Sequence, residues 1–275
     1  VNGSNLFQRF LNTSVSGDQH LSTASKAQCC SYFETVPGAT VEGYTQAAGT
    51  TITWNGTQNT VQPGTSTVVF TCDVVVEPGA RLVVNNMNWK FAADARVIVQ
   101  EGGYLQMNNA TLDAVNCPGD RWPGIAVLGD PGQSQQGQAP WGVPAQQGMV
   151  QLTNCTLSNA YIGILSGNGT VGFNGYLYNI SNSEGGAVVL ANGCTFRNCI
   201  TAVDMRKYPD FVPQGQPLPL NRSRFNGSTF VVDELLTVVP FNFKRHVRLD
   251  RVSGVIFRKC HFQNLVNDAE YATLG

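Results

Sequence analysis

The chain has 275 residues, with 17 Lys and Arg against 18 Asp and Glu, and a formal net charge of −1. Charged residues make up 13% of it, about half the roughly 25% usual in soluble globular chains. That balance speaks against a nucleic-acid partner, and no run approaches the roughly 18 apolar residues of a membrane-spanning helix.

In chain order, residues 1–65 follow no clear register. Pro37, Gly38 and Gly49 interrupt them, and a weak strand signal lies near Thr51–Trp54. They read as an N-terminal cap or linker, because the terminal coil of a solenoid otherwise exposes strand edges and apolar side chains. The opening residues lack the basic and apolar regions of a signal peptide, as a mature or excised segment would.

A repeat then begins. The run starting at Asp73 returns at Arg96 with an offset of 23 residues and no gap. Val74 falls on Val97, Val76 on Val99, Gly79 on Gly102, Leu82 on Leu105, Asn85 on Asn108, Asn86 on Asn109 and Trp89 on Leu112. Within each copy apolar residues alternate in bursts of two or three, separated by Gly or Asn, which is the period of strands. Three bursts per repeat predict a triangular coil stacked on the next at about 4.8 Å. No such coil can bury its apolar face alone.

A second motif continues the stack: a small residue, Thr or His, Leu or Phe, any residue, and usually Asn. It occurs at Ala110-Thr111-Leu112, Cys155-Thr156-Leu157-Ser158-Asn159, Cys194-Thr195-Phe196-Arg197-Asn198, Ser228-Thr229-Phe230 and Cys260-His261-Phe262-Gln263-Asn264. The spacings of 45, 39, 34 and 32 residues leave room for inserted loops, expected near 130–148 and 206–224. Strands after the motif recur at Gly124–Val127, Gly163–Leu165 and Ala202–Met205. The expected fold is an all-β right-handed parallel β-helix over 66–275, and a β-sandwich is the weaker competitor. Because the motif still runs at Cys260–Asn264, the chain is expected to be a piece of a longer protein.

Cys155, Cys194 and Cys260 share one motif position and are expected to stack as buried, reduced thiols. Parallel Cβ vectors suit a bridge poorly. The pairing of Cys29, Cys30, Cys72 and Cys117 stays open. Without a CxxC, and with three scattered His, no zinc site or other cofactor is expected. The motif residues Asn159, Asn198 and Asn264 read as an internal ladder that satisfies backbone groups at the bends.

The two repeat copies, followed by Cys117 and the run Trp122-Pro123-Gly124-Ile125-Ala126-Val127-Leu128-Gly129, resemble the β-helix segments of large surface proteins. These are exported by the type IX secretion system of Bacteroidota and belong in fold to the pectate-lyase-like superfamily. The resemblance covers roughly residues 68–267. It implies an extracellular or cell-surface location, an adhesin-like role, carbohydrate or other surface proteins as partners, the secretion machinery as a further one, and a C-terminal sorting domain in the parent protein.

Catalysis must be argued from a site, because this fold hosts both enzymes and non-enzymes. Hydrolysis needs two carboxylates facing one bond, about 5–9.5 Å apart. Asp204 aligns with Leu165 and Ala126, neither acidic, and Asp113 and Asp233 stand alone. A lyase needs a base and a cation that neutralises a uronate carboxylate. Between Arg206 and Lys259 lie ten Lys and Arg and four acids, a local charge of +6. Within that stretch Lys244, Arg245, His246, Arg248 and Arg251 form the candidate binding patch, with His246, Arg248 and Asp250 expected on one strand face. Trp122, beside Asp120 and Arg121, is a second candidate: an exposed ring for stacking on a sugar, or a turn staple leading into Ile125–Val127. The favoured function is a non-catalytic surface spacer or binding scaffold; the alternative is a polysaccharide lyase acting on acidic glycans.

Overall fold

The computed structural model describes residues 40–41, 43–115, 121–136, 142–172, 176–209, 220–234 and 243–266. Twenty-four strands fill them, and three long sheets take all but two. Sheet A holds β1 (Thr40–Val41), β4 (Thr67–Phe70), β7 (Asn88–Phe91), β10 (Thr111–Ala114), β13 (Thr156–Ser158), β18 (Thr195–Arg197), β21 (Thr229–Val232) and β24 (His261–Asn264). Sheet B holds β2 (Tyr44–Gln46), β5 (Val74–Val76), β8 (Val97–Val99), β11 (Trp122–Val127), β14 (Ala160–Ser166), β19 (Thr201–Met205) and β22 (Arg245–Leu249). Sheet C holds β3 (Thr51–Asn55), β6 (Arg81–Asn85), β9 (Tyr104–Asn108), β12 (Met149–Thr153), β17 (Val188–Asn192), β20 (Arg224–Asn226) and β23 (Ile256–Arg258). A short antiparallel hairpin, β15 (Thr170–Val171) with β16 (Leu177–Tyr178), stands apart.

Each long sheet takes every third strand and pairs it in parallel with the coil before and the coil after, which makes the molecule a right-handed parallel β-helix. The register is the one read from the repeat: Val74 pairs with Val97, Val76 with Val99, Leu82 with Leu105 and Trp89 with Leu112. The second motif stacks likewise, Thr111 on Thr156, Thr195, Thr229 and His261. Alternate residues point inward because strand side chains have a period of two. Val76, Val99, Leu82 and Leu105 are fully buried, each contributing about 1.5–3 kcal/mol through burial.

Between sheets C and A, Asn86, Asn109 and Asn154 take left-handed backbone with φ of 51–55°, which Asn tolerates better than other side chains. Gly124 is obligatory for a different reason: its φ is 100°, and a Cβ there would collide with the Ile162 carbonyl.

Three expectations need correction. Among the described residues the solenoid already includes Thr40–Asn55 rather than starting near residue 66, since β1, β2 and β3 pair with β4, β5 and β6. A loop between Asn55 and Thr67 and the polar outer residues Thr51 and Thr53 hide that first coil from the 23-residue period. Residues 1–39 lie outside the described residues. Next, an insert at 167–187, carrying β15 and β16, went unforeseen beside those at 128–148 and 206–223 (residues 210–219 of the latter lie outside the described residues). All three occupy the same B-to-C corner on successive coils. Finally, the motif asparagines satisfy backbone groups at the bend, Asn198 Oδ1 accepting from Asp233 N and Asn264 Oδ1 from Val266 N, but they do not bond one another. Asn159 donates to Asp113 and Asn198 to Asp233, whereas Asn–Asn bonds join Asn85 to Asn108, Asn86 to Asn55 and Asn192 to Asn226 at the C-to-A corner.

The inserts cover the outer faces of two sheets. Ile162 and Leu165, outward on sheet B, pack with Leu177 and the half-buried Val171, Tyr176 and Ile180 of the hairpin. Tyr104, Met149 and Val188, outward on sheet C, pack with Val143. Gln135 ties the inserts together: its amide donates to the Gly186 carbonyl at 2.6 Å, and its side-chain oxygen accepts from Arg222 N at 2.6 Å.

Candidate functional site

The candidate patch starts from β22, the last strand of sheet B among the described residues. Val247 pairs with Val203 and Leu249 with Met205, both inward columns, so Arg248 lies outward opposite Asp204. Around that position the structure gathers an ion cluster. Arg206 donates to Asp204 at 2.7 Å and to Asp250 at 3.2 Å; Arg248 also reaches Asp250 at 3.2 Å, and Arg251 approaches its other oxygen at 3.5 Å. The Asp204 and Arg206 side chains are only 3% and 5% exposed. A buried ion pair of this kind costs desolvation and holds only with close, hydrogen-bonded geometry.

Asp204 Oδ1 lacks a hydrogen-bond partner. Burial pushes the Asp204 carboxyl above its ordinary value, and Arg206 opposes that rise. Arg206 was missed as a site residue. The signal was present, because Asp204 and Arg206 are two residues apart and therefore on one side of an extended chain. What the alternation cannot reveal is that this outward face is covered.

His246 does not join the cluster as expected. Its ring lies 4.8 Å from that of Phe243, 5.9 Å from Phe262 and 6.4 Å from Phe230. Burial lowers its pKa, which favours the neutral imidazole. The Lys244 ammonium sits 5.9 Å over the Tyr161 ring, and Arg245 is exposed. The patch is thus a strand with an ionic half, an aromatic half and exposed cations between them.

Trp122 is not a surface ring. It is fully buried, stacks on Phe91 at 4.4 Å with an interplanar angle of 9°, and donates from Nε1 to the Ser158 carbonyl at 2.8 Å. The turn-staple reading holds, and sugar stacking would require this side chain to leave the core. Inward alternation from Ile125 was the available clue, but the Gly124 bulge obscured it.

The remaining acids hold coils together. Asp113 pairs with Lys90 at 2.6 Å and accepts from Asn159 at 2.8 Å. Asp233 pairs with Arg197 at 3.0 Å. Cys155 and Cys194 are buried free thiols, as the shared motif position implies, whereas Cys260 is free but only half-buried. Ser228, however, separates Cys194 from Cys260 in that column. Cys199 is a further buried thiol that the motif did not mark. Cys29, Cys30 and Cys117 lie outside the described residues. Among the described residues no group of three or more His, Cys, Asp and Glu is arranged to hold a metal ion. Comparisons with protein-family models, with curated proteins and with solved structures each return no match, so the reading of this site rests on the chain's own geometry.

Proposed function

We propose that the chain is a non-catalytic β-helix module of a secreted or cell-surface protein, an adhesin-like spacer and binding scaffold exported as secretion-system cargo. One observation carries the reading. The charged groups a lyase would aim at a uronate are occupied with each other, Arg206 with Asp204 and Asp250, and Arg248 and Arg251 with Asp250. Surface proteins and carbohydrate are the partners such a scaffold would meet.

The rival, a polysaccharide lyase, draws on the neutral His246, the form that accepts a proton. Its ring packs against Phe243 rather than among the guanidinium groups that would hold a carboxylate. The test is incubation of the chain with pectate, alginate and chondroitin while ultraviolet absorbance is followed. No unsaturated product is expected; a steady rise abolished in His246→Ala would replace the scaffold with the lyase.

A further inference from the structure

We propose that Asn168 is a self-modifying site, at which the backbone nitrogen of Gly169 displaces the side-chain amide while Arg96 stabilises the charge that forms on Oδ1. Such chemistry is independent of what the sheet faces bind. An asparagine followed by glycine is the pair most open to attack on the side chain by the next backbone nitrogen, because glycine lacks the Cβ that would hinder the approach. Among the described residues the pair occurs four times, at Asn55-Gly56, Asn168-Gly169, Asn192-Gly193 and Asn226-Gly227.

Three of the four are protected by the solenoid. Gly56 N donates to the Asn85 carbonyl at 2.8 Å, Gly193 N to the Asn226 carbonyl at 2.9 Å and Gly227 N to the Arg258 carbonyl at 2.9 Å, so each nitrogen is committed to the bond with the next coil. Gly169 differs. Its N–H donates to Oδ1 of Asn168 itself, at 2.9 Å. The nitrogen that must attack is therefore already held against the carbonyl group it attacks, a pre-alignment that lowers a barrier by removing the search for geometry. Arg96 Nη1 donates to the same oxygen at 3.0 Å and to the Gly169 carbonyl at 2.9 Å, fixing the side chain relative to the peptide that follows. With two N–H donors directed at it, that atom is the oxygen of the carboxamide and not its nitrogen. The Arg96 side chain is only 13% exposed, where its charge is screened less than at the surface. Asn168 and Gly169 are half-buried, within reach of water.

The only co-reactant is water. Gly169 N gives up its proton to water and bonds to Asn168 Cγ, and the carbonyl π electrons move onto Oδ1, where Arg96 Nη1 already donates, as in an oxyanion hole. The carbonyl re-forms as the Cγ–Nδ2 bond breaks, and the nitrogen leaves with a proton as ammonia. Water then opens the five-membered imide at one of its two carbonyls, leaving aspartate or isoaspartate at position 168. In sum, an amide and water become a carboxylate and ammonium. The aspartate product places its carboxylate against Arg96 and exchanges a hydrogen bond for a charge-assisted one. The tie between the 167–187 insert and the coil of β8 thus strengthens as the protein ages.

The experiment incubates the freshly purified full chain at neutral pH and follows each Asn–Gly pair by peptide mass spectrometry, which reads the mass gain of amide-to-acid exchange and separates isoaspartate by retention. In the folded chain Asn168 is expected to convert about tenfold or more faster than Asn55, Asn192 and Asn226. In denaturant, where no geometry favours one pair, the difference should vanish. In Arg96→Gln the Asn168 rate should fall about tenfold, a smaller loss than at a fully enclosed oxyanion hole. Circular dichroism checks the fold of that variant; should it not fold, the comparison of folded and denatured parent chain still decides. Three results would each overturn the proposal: Asn168 no faster than the other three in the folded chain; an excess at Asn168 that persists in denaturant, which would assign it to local sequence; or an unchanged or faster rate in folded Arg96→Gln, which would leave the guanidinium a structural tie alone.

Discussion

The coils built from β4 to β9 and those built from β10 to β20 share one stacking register but differ in what covers them. In the former, four residues turn the B-to-C corner, at 77–80 and again at 100–103. In the latter, the same corner carries inserts at 128–148, 167–187 and 206–223. On the sheet C side of each insert the strands still pair residue for residue, Met149 with Tyr104 and Val188 with Met149. On the sheet B side β11 and β14 slip once, at the Gly124 bulge, and are back in register from Ile125 to Val127. Lengthening a loop at a fixed corner costs little closure entropy, whereas shifting a strand by one residue would turn every side chain to the wrong face. The regular coils therefore show the scaffold, and the inserts show where the fold admits variation. With cover come buried polar groups, Asp204, Arg206, Gln135 and Gln147 among them, which the regular coils largely lack.

The sharpest way to break the comparison is at the seam between the two regions. Trp122 of the insert-bearing coils stacks on Phe91 of the regular ones. Trp122→Ala should cost about 3–5 kcal/mol in denaturant unfolding; a loss below about 1 kcal/mol would mean that the regions are not packed as one core.

Next in size is the covered ion pair. Asp204→Ala leaves Arg206 buried with only Asp250 beside it, and removal of one partner of a buried pair costs about 3 kcal/mol. The pH arm is more specific. Burial raises the Asp204 pKa, so the folded state holds the proton more tightly than the unfolded one. The contribution is full below the ordinary value near 3.8 and is lost as pH rises through the raised value. Thermal melts of Asp204→Asn should lose this falling limb; a melt profile unchanged from the parent would mean that the carboxyl is solvated.

Gln135→Ala should cost about 1–3 kcal/mol by leaving the Gly186 carbonyl and the Arg222 amide without their partner. Limited proteolysis should then cut first within 128–148, while the coils from β4 to β9 keep their protection. Early cleavage in those coils would show that the inserts are not a separable layer.

The smallest effect is chemical. Native-state alkylation should spare Cys155, Cys194 and Cys199, all buried, and modify the half-buried Cys260 before any of them. Burial pushes the Cys199 thiol up to about 11, so little thiolate is present at neutral pH. Mass spectrometry showing Cys199 modified before Cys260 would contradict the packing.

The candidate site was less legible than the fold. Lys244, Arg245, His246, Arg248 and Arg251 were marked by charge, and alternation correctly turned Arg248 outward. The partners were not visible: Asp250 binds three arginines, one of them Arg206, 44 residues away in sequence. His246 turned to Phe243 and Phe262 because the local end of the core is aromatic, a fact of coil stacking rather than of strand period.

The sequence by itself determined the coil. A two-residue period sets which side chains face inward, and the 23-residue offset sets which of them stack, because parallel pairing admits one register once one face is buried. Tertiary structure alone decided which outward residues are buried. Leu165, Asp204 and Gln135 carry no local mark of it, since their burial comes from inserts folding back over sheets B and C, a contact between segments far apart in the chain.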